Sequence, residues 1–200
     1  GVNLSFRIEE KLFIHTENLI NFKEFLNKKN AKKIHKPRII ESLYFDTYNF
    51  QTFNDSIEGL VPRKKIRIRN YPNTDDQNIY LEIKNSSVEG RYKTRKIIDE
   101  HEFKEKKLKG VFDNQYGLCL PKLYVKYERE YLFLNDVRIS IDTNISYRNF
   151  NTNYQIRENR VIAELKTTID KSIDELTEDF PIQRIRFSKY SFGIEKLYSL

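Results

Sequence analysis

The sequence predicts an α+β fold, an eight-stranded antiparallel β-barrel with a polar cationic interior, covered by a few helices. Three observations predict it. Alternation of apolar and polar residues with period two recurs in about eight segments of the 200-residue chain. Charge collects on one side of most of these segments. The few helical segments carry apolar stripes, which need an apolar sheet face to cover, so the charged face is left to turn inward.

Strands are expected at 6–14, 40–46, 64–71, 78–84, 91–98, 123–134, 137–142 and 160–168. Pro72-Asn73, Glu89-Gly90 and Asn135-Asp136 mark turns, the last a tight hairpin link. Thr16 can cap a helix over 17–30 whose stripe is Leu19, Ile20, Phe22, Phe25 and Leu26. Further helices are expected at 102–109, stopped by Gly110; at 173–179, capped by Ser172 and ended before Pro181; and at 189–198, capped by Ser188. Asp46 reads as a turn or capping residue. The basic run Lys28, Lys29, Lys32 and Lys33 reads as a solvated end. With no repeat, low-complexity tract or linker, residues 1–200 read as one domain.

Composition narrows the chemistry. Lys and Arg number 36 against 29 Asp and Glu, a formal charge of +7 that favours anionic partners. The 13 Tyr and 14 Phe supply apolar surface enough to exclude intrinsic disorder. Cys119 is the one cysteine, which excludes an intrachain disulfide and a thiolate zinc site and points to a reducing, cytoplasmic home. His15, His35 and His101 show no HExxH spacing, and no glycine completes GxGxxG or GxxxxGK. Nothing approaches the ~18 consecutive apolar residues of a membrane span, so no transmembrane segment is expected. If phosphates are handled, side-chain cations must do it.

The faces decide which cations. Lys11 stands with Arg7 and Glu9, Arg67 with Arg69, Glu82 with Lys84, Lys93 with Arg95, Arg129 with Tyr127, Arg138 with Asp142, and Glu164 with Lys166. That makes ten cations against Glu9, Glu82, Asp142 and Glu164, an excess of 10 − 4 = +6 on one side of one sheet. Like charges facing one another destabilise an ordinary wet face. An enclosed cationic lumen needs water and a polyanion to fill it, and a linear phosphate chain has the required repeated charge. The strand at 123–134 fits less well, with Val125, Tyr131 and Phe133 on its Arg129 face and Lys126, Glu128 and Glu130 opposite.

Ordered motifs spanning nearly the whole chain resemble the VTC domain, the polyphosphate polymerase branch of the triphosphate tunnel metalloenzymes, or CYTH-like superfamily. They are Arg7-Ile-Glu9-Glu-Lys11, SLYFDT at 42–47, IRIR at 66–69, YLEIK at 80–84, YKTR at 92–95, YERE at 127–130, VRISIDTNI at 137–145, AELK at 163–166 and FSKY at 187–190. The resemblance implies an eight-stranded tunnel that binds triphosphate or polyphosphate along its axis, with Mn2+ or Mg2+ near one wall. By motif match the phosphate contacts are Lys11, Arg67, Arg69, Lys84, Lys93, Arg95, Arg129, Arg138 and Lys166. Glu164 falls on the family's metal-binding glutamate, and Ser188 and Lys189 on its phosphate-binding serine and lysine. Arg7 departs from the superfamily's opening E-x-E-x-K, which favours the VTC branch over thiamine-triphosphatase-like and cyclase-like relatives. The compact chain resembles a stand-alone microbial form or an excised catalytic domain.

The implied function is transfer of the terminal phosphate of ATP to a growing inorganic polyphosphate chain, with Mn2+ or Mg2+ as cofactor. Lys11, Arg67, Arg69, Arg129 and Arg138 would fix the donor, Lys84, Lys93, Arg95 and Lys189 would guide the acceptor, and Tyr127 would pack the barrel with its hydroxyl toward phosphate. An anionic acceptor needs no base to activate it, so the lack of an obvious catalytic histidine is tolerable. Two alternatives stay open, an inorganic triphosphatase or polyphosphatase and a non-catalytic polyphosphate-binding module. Nucleic acid is not an expected partner, because no RNA-binding aromatic motif is legible.

Overall fold

The computed structural model describes residues 3–5, 8–168, 172–178 and 183–200. Its strands are β1 (Asn3–Ser5), β2 (Ile8–His15), β3 (Lys32–Asp46), β4 (Arg63–Asn70), β5 (Ile79–Ser87), β6 (Gly90–Ile98), β7 (Val111–Asp113), β8 (Gly117–Leu134), β9 (Val137–Asn149), β10 (Gln155–Arg157), β11 (Arg160–Thr167) and β12 (Gln183–Ile185). The helices are α1 (Leu19–Lys28), α2 (Gln51–Glu58), α3 (Glu100–Lys109), α4 (Ser172–Thr177) and α5 (Lys189–Tyr198).

Among the described residues the strands pair in the order β1-β6-β5-β4-β3-β8-β9-β11-β2-β12, with β10 beside β9 and β7 beside β8, every ladder antiparallel. The eight expected strands form the middle of this path. The expectation of a closed eight-stranded barrel needs correction: four short strands are added, and the ladder ends at β1 on one side and β12 on the other. The chain itself carries β1, paired to β6, into β2, paired to β11, so the two flanks meet through connectivity instead of a closing ladder.

The sheet's convex face is apolar and carries the helices expected for it. Phe22 and Leu26 of α1 and Ile173 and Leu176 of α4 pack on Leu12, Ile14, Ile139, Ile141, Val161 and Leu165. Phe103 of α3 packs on the cluster of Leu43, Phe45, Ile66 and Ile68. Burial of such side chains contributes roughly 1.5–3 kcal/mol each and fixes which face turns inward. Glu130, on that outer side, meets Lys23 of α1 at 2.8 Å.

α5 lies differently. It covers one end of the concave face, where Leu123, Val125, Ile145, Tyr147 and Ile162 replace the charged residues. Gly193 permits that approach, because a Cβ there would collide with the side chains of Leu123 and Tyr147. Asp46 holds the arrangement from below. Buried, it accepts the backbone N–H of Thr52 and Phe53 at the start of α2 and the hydroxyl of Tyr190 at 2.7 Å.

Expected details divide. Asn135 and Asp136 both take positive φ, as a tight hairpin turn requires, and Gly110 ends α3 at φ 87°. Thr16 opens a 3-10 turn instead of capping α1, and its hydroxyl donates to the Asn159 carbonyl. Ser172 is the first residue of α4, not its cap. Arg7, Asp179 and Pro181 lie outside the described residues. No helix among the described residues is long and apolar enough to cross a membrane.

Candidate phosphate-binding channel

The concave face closes on itself through side chains. Arg91 of β6 donates to Glu9 of β2 at 3.1 Å, joining strands at opposite flanks of the path. Lys84 of β5 and Glu164 of β11 stand five ladders apart, yet each lies in the other's field. A sheet this curled has an axis, and the charges line it.

On the wall formed by β4, β5 and β6, alternation aims Arg63, Lys65, Arg67, Arg69, Glu82, Lys84, Arg91, Lys93 and Arg95 inward. Glu82 organises them. It is fully buried, and its carboxylate lies 2.8 Å from Arg67 Nε, 3.1 Å from Arg95 Nε, 3.6 Å from Lys93 and 3.9 Å from Arg69. Burial alone would raise its pKa, but Arg67, Arg69 and Lys93 overcome that and hold it at about 2. One carboxylate thus aligns four cations and leaves the group strongly positive.

Lys65 and Lys84, on the same wall, make no ion pair with a carboxylate among the described residues. Burial, then Lys11, Arg63, Arg67 and Arg91, bring the Lys65 amine down to about 7. Lys84 is reached by water but surrounded by protein, and burial and Arg67 hold its pKa well below the usual lysine range. Tyr44 of β3 faces the same cluster and accepts from Arg67 Nη1 at 3.3 Å. Burial opposes its ionisation, yet Arg67 and Arg69 bring the phenol down to about 7.

The opposite wall, from β8, β9, β11 and β2, is nearly balanced. Asp142 accepts from Arg129 Nε and Nη2 at 2.7 and 2.9 Å and from Lys189 at 2.7 Å. Burial would raise its pKa, and the two cations hold it at about 2. Glu164 lies 3.7 Å from Lys166, which is itself 4.0 Å from Glu9. Lys11 donates to the Phe187 carbonyl at 2.6 Å; burial lowers its pKa, and Glu164 works in the opposite direction. Tyr127 bridges the two walls by accepting from Arg69 at 3.0 Å beneath Lys189, 4.4 Å above its ring.

This fold has counterparts. The VTC domain family matches residues 6–198. The chain belongs to that family. Among solved structures it is similar to a candidate adenylate cyclase of Bacillus halodurans, with a TM-score of 0.67, 14% identity and 99% of each chain covered. It is also similar to a candidate adenylyl cyclase of Hippeastrum described as having a dominant triphosphatase activity, with a TM-score of 0.56, 14% identity and 95% of each chain covered. A third likeness is the Schizosaccharomyces pombe Mediator head module, with a TM-score of 0.54, 10% identity, 90% of this chain and 99% of that one covered. At these identities the shared property is the fold. No curated protein matches the chain by sequence.

The VTC motifs converge on the channel. Lys11, Arg67, Arg69, Lys84, Lys93, Arg95, Tyr127, Arg129, Glu164, Lys166 and Lys189 all line its two walls. Arg138 shares their face but sits exposed beyond Ser140 and Asp142, where the pattern of β9 runs out to the rim. Ser188 has a structural task, since its Oγ accepts the Ser191 N–H and caps α5. Sequence reasoning missed Lys65, Tyr44 and Arg38. Lys65 continues the period-two row of Arg67 and Arg69 by one step, which was legible. Arg38 lies 3.8 Å over the Tyr71 ring and donates to Tyr131 at 2.8 Å, a placement visible only in three dimensions.

The fold family implies a divalent cation, and Glu164 fits one in part. Among the described residues no three His, Cys, Asp or Glu side chains cluster as a self-sufficient metal cage. Glu164 makes no hydrogen bond there, and its nearest cation is the loose 3.7 Å pair with Lys166, so its oxygens can still act as ligands. Burial opposes ionisation, but Lys166, Lys11, Lys84 and Arg129 keep it a carboxylate. Mg2+ is commonly bound by one or two carboxylates plus substrate phosphates, which matches one carboxylate facing a phosphate channel.

Proposed function

We propose that this chain is a polyphosphate polymerase that transfers the terminal phosphate of ATP to inorganic polyphosphate within the cationic channel, using Mn2+ or Mg2+. The observation that carries the reading is the four-cation grip around Glu82, continued by Lys65 and Lys84 and facing Glu164. Phosphoryl transfer asks a protein mainly for alignment and charge neutralisation. Arg67, Arg69, Lys93 and Arg95 are already aligned before any anion arrives, so little rearrangement opposes binding.

In this reading an oxygen of the acceptor chain attacks the γ-phosphorus of ATP, the bond to the β,γ-bridging oxygen breaks, and ADP leaves. Arg67 and Arg69 hold the donor phosphates from one wall and Arg129 from the other. Lys84 and Lys65, relieved of mutual repulsion, neutralise the reacting centre. Lys11 and Lys189 orient the acceptor. Glu164 would hold the metal, whose chemistry there would be neutralisation of phosphate charge. The acceptor is already anionic, so no side chain has to remove a proton from it.

Purified protein incubated with ATP and Mn2+ or Mg2+ tests the reading. Long anionic chains on a polyphosphate-stained gel, lost in Lys84→Met and Glu164→Ala, are expected. Release of orthophosphate without polymer overturns it in favour of the second reading, a triphosphatase. Binding of polyphosphate without turnover would make the chain a binding module.

A further inference from the structure

The two rims of the channel differ in charge. At one, Arg63, Arg91 and Arg186 crowd together, and burial, then Arg91 and Arg186, lower the proton affinity of Arg63. At the other, past Arg95 and Tyr80, the start of β5 and the end of β6 meet the start of α3. A hollow of about 440 Å3 opens there, lined by Gln77, Asn78, Ile97, Asp99, Glu100 and Glu102. Its volume falls in the usual small-ligand range of ~300–1,000 Å3. Its carboxylates repel phosphate, so its occupant is the uncharged part of a ligand whose phosphates lie deeper.

The neighbouring side chains specify what that part is. The Arg95 guanidinium lies 3.4 Å over the Tyr80 ring, and Nη2 and Nε tie it to Tyr71 and Glu82, which fixes its plane. No second ring covers its other side among the described residues, and the side chain is 39% exposed. Ile97 faces Tyr80 across the ladder and is itself 59% exposed. A fixed guanidinium plane beside an exposed apolar side chain is a stacking platform for a nucleobase. The side-chain carbonyls of Gln77 and Asn78 accept no hydrogen bond among the described residues, so the edge of the hollow is rich in acceptors and suits an exocyclic amino group.

We propose that this rim docks the base of the nucleoside triphosphate, an amino-bearing base such as adenine, stacked on Arg95 and Ile97. The triphosphate then threads inward past Arg69 to Arg67, Lys93 and Lys84. The proposal rests on the phosphate-channel reading and adds a direction to it: nucleotide enters over the acidic rim, and the polyanion leaves over Arg63, Arg91 and Arg186, where its charge is welcome.

Calorimetric titration of the full chain with ATP, inosine triphosphate and tripolyphosphate tests this. Inosine replaces the amino donor with a carbonyl acceptor and leaves the phosphates unchanged. The wild type should bind ATP about tenfold more tightly than inosine triphosphate. Gln77→Ala with Ile97→Ser, both exposed positions, should erase that ratio and leave tripolyphosphate binding as it was. Arg95→Lys, which keeps the charge but loses the plane, should weaken ATP by a larger factor than tripolyphosphate. Equal affinity for ATP and inosine triphosphate, or equal loss of ATP and tripolyphosphate in Arg95→Lys, overturns the base station while tripolyphosphate binding preserves the channel. A wild type that binds no tripolyphosphate overturns both.

Discussion

The two walls of the channel use opposite electrostatic designs. On β4, β5 and β6 one carboxylate, Glu82, serves four cations, and Lys65 and Lys84 pair with none among the described residues. On β8, β9, β11 and β2, Asp142, Glu164 and Glu9 face Arg129, Lys189, Lys166 and Lys11. The first wall is a grip whose charge is stored at the fold's expense; the second is close to neutral and offers a carboxylate that can share a cation with phosphate. A site with both walls cationic would bind a polyanion tightly and leave nowhere for a metal. Two balanced walls would hold the metal and bind the polyanion weakly.

The largest expected effect breaks the grip. Glu82→Ala leaves Arg67 and Arg69, both buried, without their counter-ion, and removing one partner of a buried pair costs about 3–5 kcal/mol. At roughly 2–4 °C per kcal/mol for a chain of this size, the thermal midpoint should fall by about 10 °C. Asp142→Ala strands fewer cations and should cost less. Equal losses in the two variants would remove the distinction between the walls. Acid gives the same contrast without mutation. Glu82 and Asp142 are held at about 2, below their unfolded values, so their contribution is complete above about pH 4.5 and is lost as pH falls through 2.

Ligand comes next. If the first wall stores unfavourable charge, tripolyphosphate at a hundredfold excess over its Kd should stabilise the protein by about 2.7 kcal/mol, and added salt should reduce the shift. A midpoint indifferent to tripolyphosphate would mean that the aligned cations do not bind it.

A smaller effect isolates the stored charge. The Lys65 pKa is lowered to about 7, so between about pH 7 and 10.5 the unfolded chain holds a proton that the folded chain has released. Stability contributed by this group therefore rises with pH across that window. Lys65→Met should flatten that rise, stabilise the free protein at pH 7 by about 1 kcal/mol, and weaken tripolyphosphate binding. Thermal midpoints from pH 6 to 10, with and without tripolyphosphate, check all three. A Lys65→Met protein less stable than the wild type at pH 7 would contradict the stored-charge account.

How far these walls were legible in the sequence follows from what alternation can report. Period two placed Arg67, Arg69, Glu82 and Lys84 on one face because Ile66, Ile68, Leu81 and Ile83 fill the other side of the same strands, and a one-residue slip would have buried the charges. The pattern fails where the backbone departs from it. Asn144, at φ 51°, sits in the irregularity between β8 and β9 and shifts the inward row from Asp142 to Ile145, so β9 reads as ending seven residues early. α2 escapes because its cap comes from Asp46, outside the local window, and its entry residue Phe50 takes φ 59°. Three-residue strands such as β10 and β12 carry too little pattern to see. Whether the ladder closes depends on its two flanks, which no segment of sequence contains.

Arg138 gives the smallest effect and the sharpest test of where the second wall ends. It continues the inward row of Asp142 and Ser140, but it is exposed and makes no ion pair or hydrogen bond among the described residues. Arg138→Ala should therefore change stability by no more than about 0.5 kcal/mol. It acts on a polyanion only through screened charge, so its loss should weaken tripolyphosphate binding several-fold at low salt and little at physiological salt, where the Debye length is about 8 Å. A loss that persists at high salt would require a direct phosphate contact, and the gripping surface would then extend to the rim of β9 on the wall that otherwise balances its charges.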